Sequence, residues 1–497
     1  MNKQTLIKYA ACIGMACSMA ACDDWLGNQP KGEMIPETLS DYQMLLNNQY
    51  LYSSLDAYPL FLTDDIRLTG RGEIVNGSSN FTDFDYMDKS EEMRNCYSFA
   101  SGDIFLPGDA DPLWNDGYDH IFTYNAIINN VLNTTDGTDT ERRRVWGEAL
   151  VGRAFEYLNL VNLYGNHYDP ATAETDYGVP LVLSEEMTGE QYPRASVAQV
   201  YQQIEEDLSQ AVPCLAEVTN HPFAPNQSVG QAFLARMYLY MGNYEDALTN
   251  ANTALEHSSY LIDLNEYKTL DHGTWGRIVR IDDGTEYPDP QDNEENIYTR
   301  NFSATSDLFA VVAASDDLLA TFREHLAADG ADMRKELYYC TDSCDRTISG
   351  GRPDYFRGYT TYMPYVYTNV GLNTPEIYLI AAECEARVGD VDRALTLLNT
   401  LRDKRIRNNV HYETPTSLSR EEVLRLVIDE RRREFAFVGI YRLIDLKRLN
   451  RETWFAKTIT HTAGNDGTWT LPANDPRYIL PVPESVTSFN PMPEYER

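Results

Sequence analysis

Two well-separated stretches of this chain repeat one pattern, and that repetition restricts the fold more than any other feature of the sequence. Residues 226–260, NQSVGQAFLARMYLYMGNYEDALTNANTALEHSSY, place Leu234, Met237, Tyr238 and Met241 at helical spacing. They break at Gly242-Asn243 and resume with Ala247, Leu248, Ala251, Ala254 and Leu255. Residues 374–405, TPEIYLIAAECEARVGDVDRALTLLNTLRDKR, do the same: Ile377, Ile380, Ala381 and Cys384 precede Gly389-Asp390, and Val391, Ala394, Leu395 and Leu398 follow. In each copy a turn glycine stands five residues before an alanine, Gly242 before Ala247 and Gly389 before Ala394. Small residues at that offset let two helices approach closely.

The pattern looks like a tetratricopeptide unit, which carries glycine at its turn and alanine at the helix crossing. Two copies are too few to bury a continuous core, so other helices must stack beside them. The period supplies candidates. Residues 36–52 read as a short helix with Asp41 near its start and Tyr42, Leu45 and Leu46 facing inward. Residues 114–132 put Trp114, Tyr118, Ile121, Tyr124 and Ile128 on one face, which makes Trp114 a core residue. A helix over 140–164 brings Ala149, Ala154 and Leu158 to the contact and stops at Gly165, and another over 197–215 leads into the first hairpin. Beyond the second hairpin, Ser417 to Glu422 opens a helix in which Asp429-Glu430 beside Arg431, Arg432 and Arg433 predicts internal ion pairing. The expected fold class is mostly α, a scaffold of tetratricopeptide-like helical hairpins.

Residues 1–21 carry Lys3 and Lys8, then an uncharged run from Ala10 that ends in Ser18-Met19-Ala20-Ala21 before Cys22. A positive start, a short apolar stretch and small residues at a cleavage point build a secretory signal. The uncharged run is too short for a bilayer core, which takes roughly 20 apolar residues. Met19-Ala20-Ala21-Cys22 also resembles the bacterial lipobox, whose cysteine is acylated and becomes the mature first residue. The following Asp23-Asp24 resembles the acidic signal that sends such lipoproteins to the outward face of the outer membrane in Bacteroidetes. An ordinary secretory peptide with an incidental cysteine is the competing reading. The expected division is a signal peptide at 1–21, a lipidated tether at 22–35 and a single helical domain over 36–497. Cys96, Cys214, Cys340, Cys344 and Cys384 remain in the body, an odd number that excludes a fully paired framework. Cys340 and Cys344 are spaced for a local disulfide in an oxidising envelope. Cys384 lies on an apolar stripe, where a buried thiol is expected.

The formal net charge is −35, and losing Lys3 and Lys8 makes the body more acidic still. Such a surface repels polyanions, which argues against nucleic acid and anionic membrane and favours neutral ligands. Ligand-binding candidates come from the loops. Residues 58–105 scatter Tyr and Phe among Asp, Asn, Gly and Ser with no helical period. Within them Asp64-Asp65-Ile66-Arg67 offers either an acid–base pairing that fixes the loop or a polar clamp for sugar hydroxyls. Residues 352–369, RPDYFRGYTTYMPYVYTN, suit either a stacking face for pyranose rings or a tyrosine-rich strand packed on the scaffold. The candidate ligand residues are Asp65, Arg67, Tyr86, Trp275, Tyr355, Tyr359 and Tyr362. Residues 282–296, DDGTEYPDPQDNEEN, lack the residue order of a calcium loop, so no cofactor is expected beyond a loose Ca2+ site there.

Several segments together resemble the SusD/RagB family of Bacteroidetes outer-membrane nutrient-binding lipoproteins. They are CDDWLGNQP, WNDGYDHIFTYNAIINN, GRAFEYLNLVNLYG, NQSVGQAFLARMYLYMGNYEDA, the second hairpin, DERRREFAFVG followed by DLKR, and the closing YILPVPESVTSFNP. The resemblance covers nearly the whole mature chain in family order. It departs at Val438, where the family usually has Glu, and by one extra residue between Gly439 and Asp445. It implies a mostly helical protein with a large loop-rich ligand-binding face, lipid-anchored on the outward side of the outer membrane, that captures oligosaccharides and passes them to a SusC-like TonB-dependent transporter, without catalysis. Capture of peptides or glycopeptides by the same kind of complex stays open, as does a surface glycoside hydrolase, whose paired carboxylates need no sequence proximity. No G-x-S-x-G, H-E-x-x-H or phosphate-binding glycine loop occurs, which speaks against an enzyme.

Overall fold

Helices carry the scaffold, and nine of the ten principal ones begin where the sequence supplies a side-chain cap, the exception starting after Ile440. The computed structural model describes residues 36–54, 57–71, 84–186, 189, 191–270, 278–302, 312–341, 345–347, 353–355, 360–362, 368–412 and 418–497. The principal helices are α1 (Leu39–Leu46), α2 (Pro112–Asn130), α3 (Asp139–Tyr164), α4 (Val197–Ala211) and α5 (Gln227–Met241). They continue with α6 (Tyr244–His257), α7 (Thr374–Val388), α8 (Val391–Asp403), α9 (Arg420–Phe435) and α10 (Tyr441–Leu449). Capping boxes open four of them, with Thr38 and Asp41 at α1, Thr138 and Glu141 at α3, Ser196 and Gln199 at α4, and Ser419 and Glu422 at α9. Asn226, Asn243, Asn373 and Asp390 cap both halves of the two repeated hairpins.

The helices stack as a row. α2 lies on α3, α3 on α4 and α4 on α5, while α5 and α6 form the first hairpin. α6 then packs directly against α7, the first helix of the second hairpin, although residues 258–373 separate them in sequence. α9 closes the row against α7 and α8. The two turn glycines serve different ends. Gly242 adopts φ +74, its N–H reaches the Leu239 carbonyl, and the Asn243 N–H reaches Tyr238, a left-handed helix stop. Gly389 has φ −107, but a Cβ there would fall 2.0 Å from the Glu385 carboxylate, which accepts the Asp390 N–H at 2.8 Å. Ala247 and Ala394 are fully buried at the crossings.

The remaining segments join by short two-stranded pairings. Ile66–Arg67 runs against Ala313–Ala314, Tyr339–Thr341 against Thr360–Tyr362, and Ile459–Ala463 against Gly467–Leu471. One buried apolar cluster spans Ala57 to Val482 and includes Trp114 and Cys384. Residues 1–35, Cys344 and the side chain of Cys340 lie outside the described residues, so the signal, the lipid attachment and the disulfide find no structural counterpart. Among the described residues no helix is long and apolar enough to cross a membrane.

Charged side chains fill the rest of the interior. On α9, Glu430 takes guanidinium donors from Arg334, Arg402 and Arg433 at 2.6–2.9 Å. Arg431 reaches Asp445, Arg432 reaches Asp64, Asp65 and Asp317, and Glu434 reaches Arg334 and Arg405. The basic run is thus internally paired, though mostly to distant elements and not along its own helix. Arg448 of α10 grips Glu383 of α7 at 2.6 and 2.8 Å. Burial alone would raise the Glu383 carboxyl, but Arg448 and Arg387 outweigh it and hold it at about 2.

The N-cap of α2 shows the opposite balance. Asp111 is buried and accepts hydrogen bonds from Tyr58, Tyr164 and the Leu113 N–H, with no cation beside it among the described residues. Burial therefore wins and pushes its carboxyl up to about 6. A raised folded-state value means that the contribution is fully present below the unfolded carboxyl range and is lost as pH rises through 6. Comparing wild type with Asp111→Asn between pH 4 and 7, the wild-type stability should fall relative to the variant by at most about 3 kcal/mol. A pH-independent difference would refute the assignment.

Candidate functional site

The sequence-predicted ligand residues separate into distinct environments. Asp65 is completely buried, and its carboxylate accepts Arg432 Nε at 2.9 Å. Beside it, Asp64 accepts Arg442 Nε at 2.7 Å and Nη2 at 2.8 Å, and Lys457 Nζ at 2.6 Å. Asp317 completes the network with Arg432 Nη1 at 2.8 Å and Lys457 Nζ at 2.9 Å. The Asp64 carboxyl is held well below its usual range, since Arg442 and Arg432 outweigh burial. Asp65 is raised by burial, with Asp64 adding to the effect against the pull of Arg432. Asp65 is therefore not placed as a surface clamp. It fixes a loop, but with arginines from α9 and α10 in place of its neighbour Arg67, because a buried carboxylate needs a close and equally buried cation. Arg67 extends instead to Asp316 at 3.5 Å.

Tyr362 is also a correction. Its ring is 6% exposed, stacked on Phe437 at 5.5 Å and set edge-on to Tyr339 at 5.3 Å, so the strand packs on the scaffold and offers no stacking face at that position. Tyr86 is half-buried, with its ring 4.9 Å from Trp469 and 6.0 Å from Tyr97. Tyr355 stands in a strand opposite Asp345. Trp275, Tyr359 and the Tyr355 side chain lie outside the described residues. Within the 282–296 stretch, Asp282 meets Arg280 and Asp283 accepts the Thr285 N–H, while Glu295 is drawn inward and accepts Arg405 Nη2 at 2.7 Å and the Ile262 N–H at 2.9 Å.

Above the Asp64 network opens a cleft of about 290 Å³ between α9, α10 and the segment after α10. Arg432, Arg442 and Lys457 form its floor, and their charges are met by Asp64, Asp65 and Asp317. Arg425, Asp429, Asn450, Trp454 and Phe455 line its sides. Trp454 is 60% exposed, a large indole left in solvent beside a polar hollow. The Arg425 guanidinium lies 5.6 Å over the Phe455 ring and donates to the Trp454 carbonyl at 3.3 Å, which steadies the rim. An exposed ring beside fixed polar groups can stack on the apolar face of a sugar while its hydroxyls meet donors and acceptors. Sequence reasoning missed Trp454. The only signal was two adjacent aromatic residues just past the helix end, outside any helical period. At the cleft edge, Glu324, His325 and Asp429 place ligand atoms within 4.8 Å of one another, the one such trio among the described residues.

Residues 24–239 match a SusD-like family described as starch-binding and associating with the outer membrane, and residues 374–494 match the SusD family. A SusD-like protein P2 of Formosa agariphila is 24% identical, with 97% of each chain covered. A SusD superfamily structure from Bacteroides thetaiotaomicron superposes with a TM-score of 0.66 at 22% identity, covering 93% of this chain and all of that one. A laminarin-binding SusD-like protein gives 0.59 at 17% identity, covering 92% of this chain and 99% of that one.

Proposed function

Because the chain belongs to the SusD family, whose two matched stretches take in more than half of it, we propose that it captures oligosaccharides at the cell surface and delivers them to a SusC-like TonB-dependent transporter. The observation that carries the ligand half of this reading is Trp454, exposed at the mouth of a cleft whose floor charges are mutually neutralised. A floor without net charge selects for hydroxyls and an apolar ring face, not for an ion. The laminarin-binding neighbour is consistent with a neutral glucan as ligand. The reading includes no catalytic step. It also places the protein on the outward face of the outer membrane, held by acylated Cys22. Mild-detergent extraction of a tagged, full-length protein tests the partner half. A β-barrel of the TonB-dependent class should co-elute, and elution of the chain by itself from induced cells would refute the partnership.

A further inference from the structure

A second cavity, of about 180 Å³, lies between the end of α3, α10 and the C-terminal segment. Most polar groups around it are already engaged. Asp475 is tied to Arg477, Arg451 to Asp169, and the Tyr495 hydroxyl bridges Asn166 N–H and the Tyr177 carbonyl. Three donors are left over. Lys447 is 6% exposed and gives Nζ to the Asn162 carbonyl and, at 2.7 Å, to the Gly165 carbonyl. An ammonium has three N–H groups, and no carboxylate acts on this one among the described residues. His167 is 9% exposed and its Nδ1 has no hydrogen-bond partner. Tyr478 is 2% exposed, and its hydroxyl lies beside the Asn450 side chain with its O–H completing no hydrogen bond.

Unsatisfied buried donors cost free energy, and three of them converging on one cavity imply an acceptor. We propose that this cavity binds a small oxyanion group, a carboxylate or sulfate, held by Lys447, His167 and Tyr478. The local electrostatics agree. Burial pushes the Lys447 amine down to about 7, for want of a negative partner. The His167 imidazole is driven well below its usual value by burial and then by Lys447, Arg448 and Arg451, so cations surround a neutral donor. The cavity shares no lining residue with the Trp454 cleft, although the Tyr478 hydroxyl lies within electrostatic reach of Asp64 and Arg442 beneath that cleft. The oxyanion could come as a free ion or as part of an acidic sugar.

The test uses the unlipidated mature chain, titrated with inorganic sulfate and, separately, with glucuronate at constant ionic strength, and followed by melting temperature. Wild type should show a saturable rise above the linear stabilisation that sulfate gives any protein. Tyr478→Phe and His167→Leu, which remove one donor each and nearly keep the volume, should shift the midpoint by about tenfold. Trp454→Ala should leave it in place. Saturation by glucuronate at lower concentration than sulfate assigns the group to an acidic sugar, and saturation by sulfate alone assigns it to a free ion. A linear rise, identical in wild type and both donor variants, would show a cavity filled by water only and overturn the proposal.

Discussion

Glu430→Ala is expected to lower the unfolding free energy by about 3–5 kcal/mol or more, and so to remove much of the stability of an ordinary domain. Glu430 is fully buried, and its two oxygens are the shared acceptors of Arg334, Arg402 and Arg433. Arg334 would keep Asp332 and Glu434. Arg402 would keep the His325 carbonyl and the Tyr412 ring at 5.0 Å, and Arg433 the Thr321 carbonyl, with Asp429 acting on it only through space. Among the described residues, two guanidinium groups would then be buried without a hydrogen-bonded counter-charge. The cost comes from those orphaned charges more than from the lost attraction, because an ion held out of water without a partner has nothing to offset its lost hydration. Burial alone would raise the Glu430 carboxyl, yet Arg433, Arg334 and Arg402 hold it well below the usual range. Its contribution is therefore present above the ordinary carboxyl range and is lost as pH falls below it. Thermal or denaturant unfolding at pH 7 measures the effect. The exposed Asp139–Arg143 pair is the control, since Asp139→Asn should leave the melting temperature unchanged. If Glu430→Ala melts with wild type, the buried network does not hold the fold together.

Trp454→Ala is expected to weaken glycan binding by about 10–100-fold while leaving stability intact. The ring is 60% exposed, so little packing is lost on truncation. What disappears is a flat apolar surface of large area and low conformational entropy, the property that concentrates binding energy on tryptophan. Trp454→Phe should recover part of the affinity, since a smaller ring still stacks. Asp65→Asn should behave differently, because Asp65 is a buried partner of Arg432: it should cost stability before affinity. Equal affinity for wild type and Trp454→Ala would exclude the cleft as the glycan site.

Much of the scaffold was legible because its determinants are local. The apolar period, the caps and the turn glycines all act within a few residues, so both hairpins and the helices beside them could be placed from sequence. The ion pairing of Arg431, Arg432 and Arg433 was legible as a need for counter-charge, but not as partners. Arg432 meets Asp64 and Asp65 from the far end of the chain, and only the stacked row of helices brings them together. For the same reason Asp65 read as loop chemistry when it is interior. The tyrosines of 352–369 carried an ambiguity that composition cannot resolve, and for Tyr362 the stack on Phe437 decides in favour of burial. Trp454 was invisible because one exposed ring past a helix end forms no pattern. Its meaning comes from the cleft beside it, and that cleft exists only once α9 and α10 are folded together.

Glycan capture itself is open to a simple assay, migration of the unlipidated mature chain through native gels cast with neutral and acidic polysaccharides. Retardation by at least one neutral glycan class is expected, abolished or sharply reduced in Trp454→Ala. Unchanged migration in every neutral and acidic polysaccharide would contradict glycan capture.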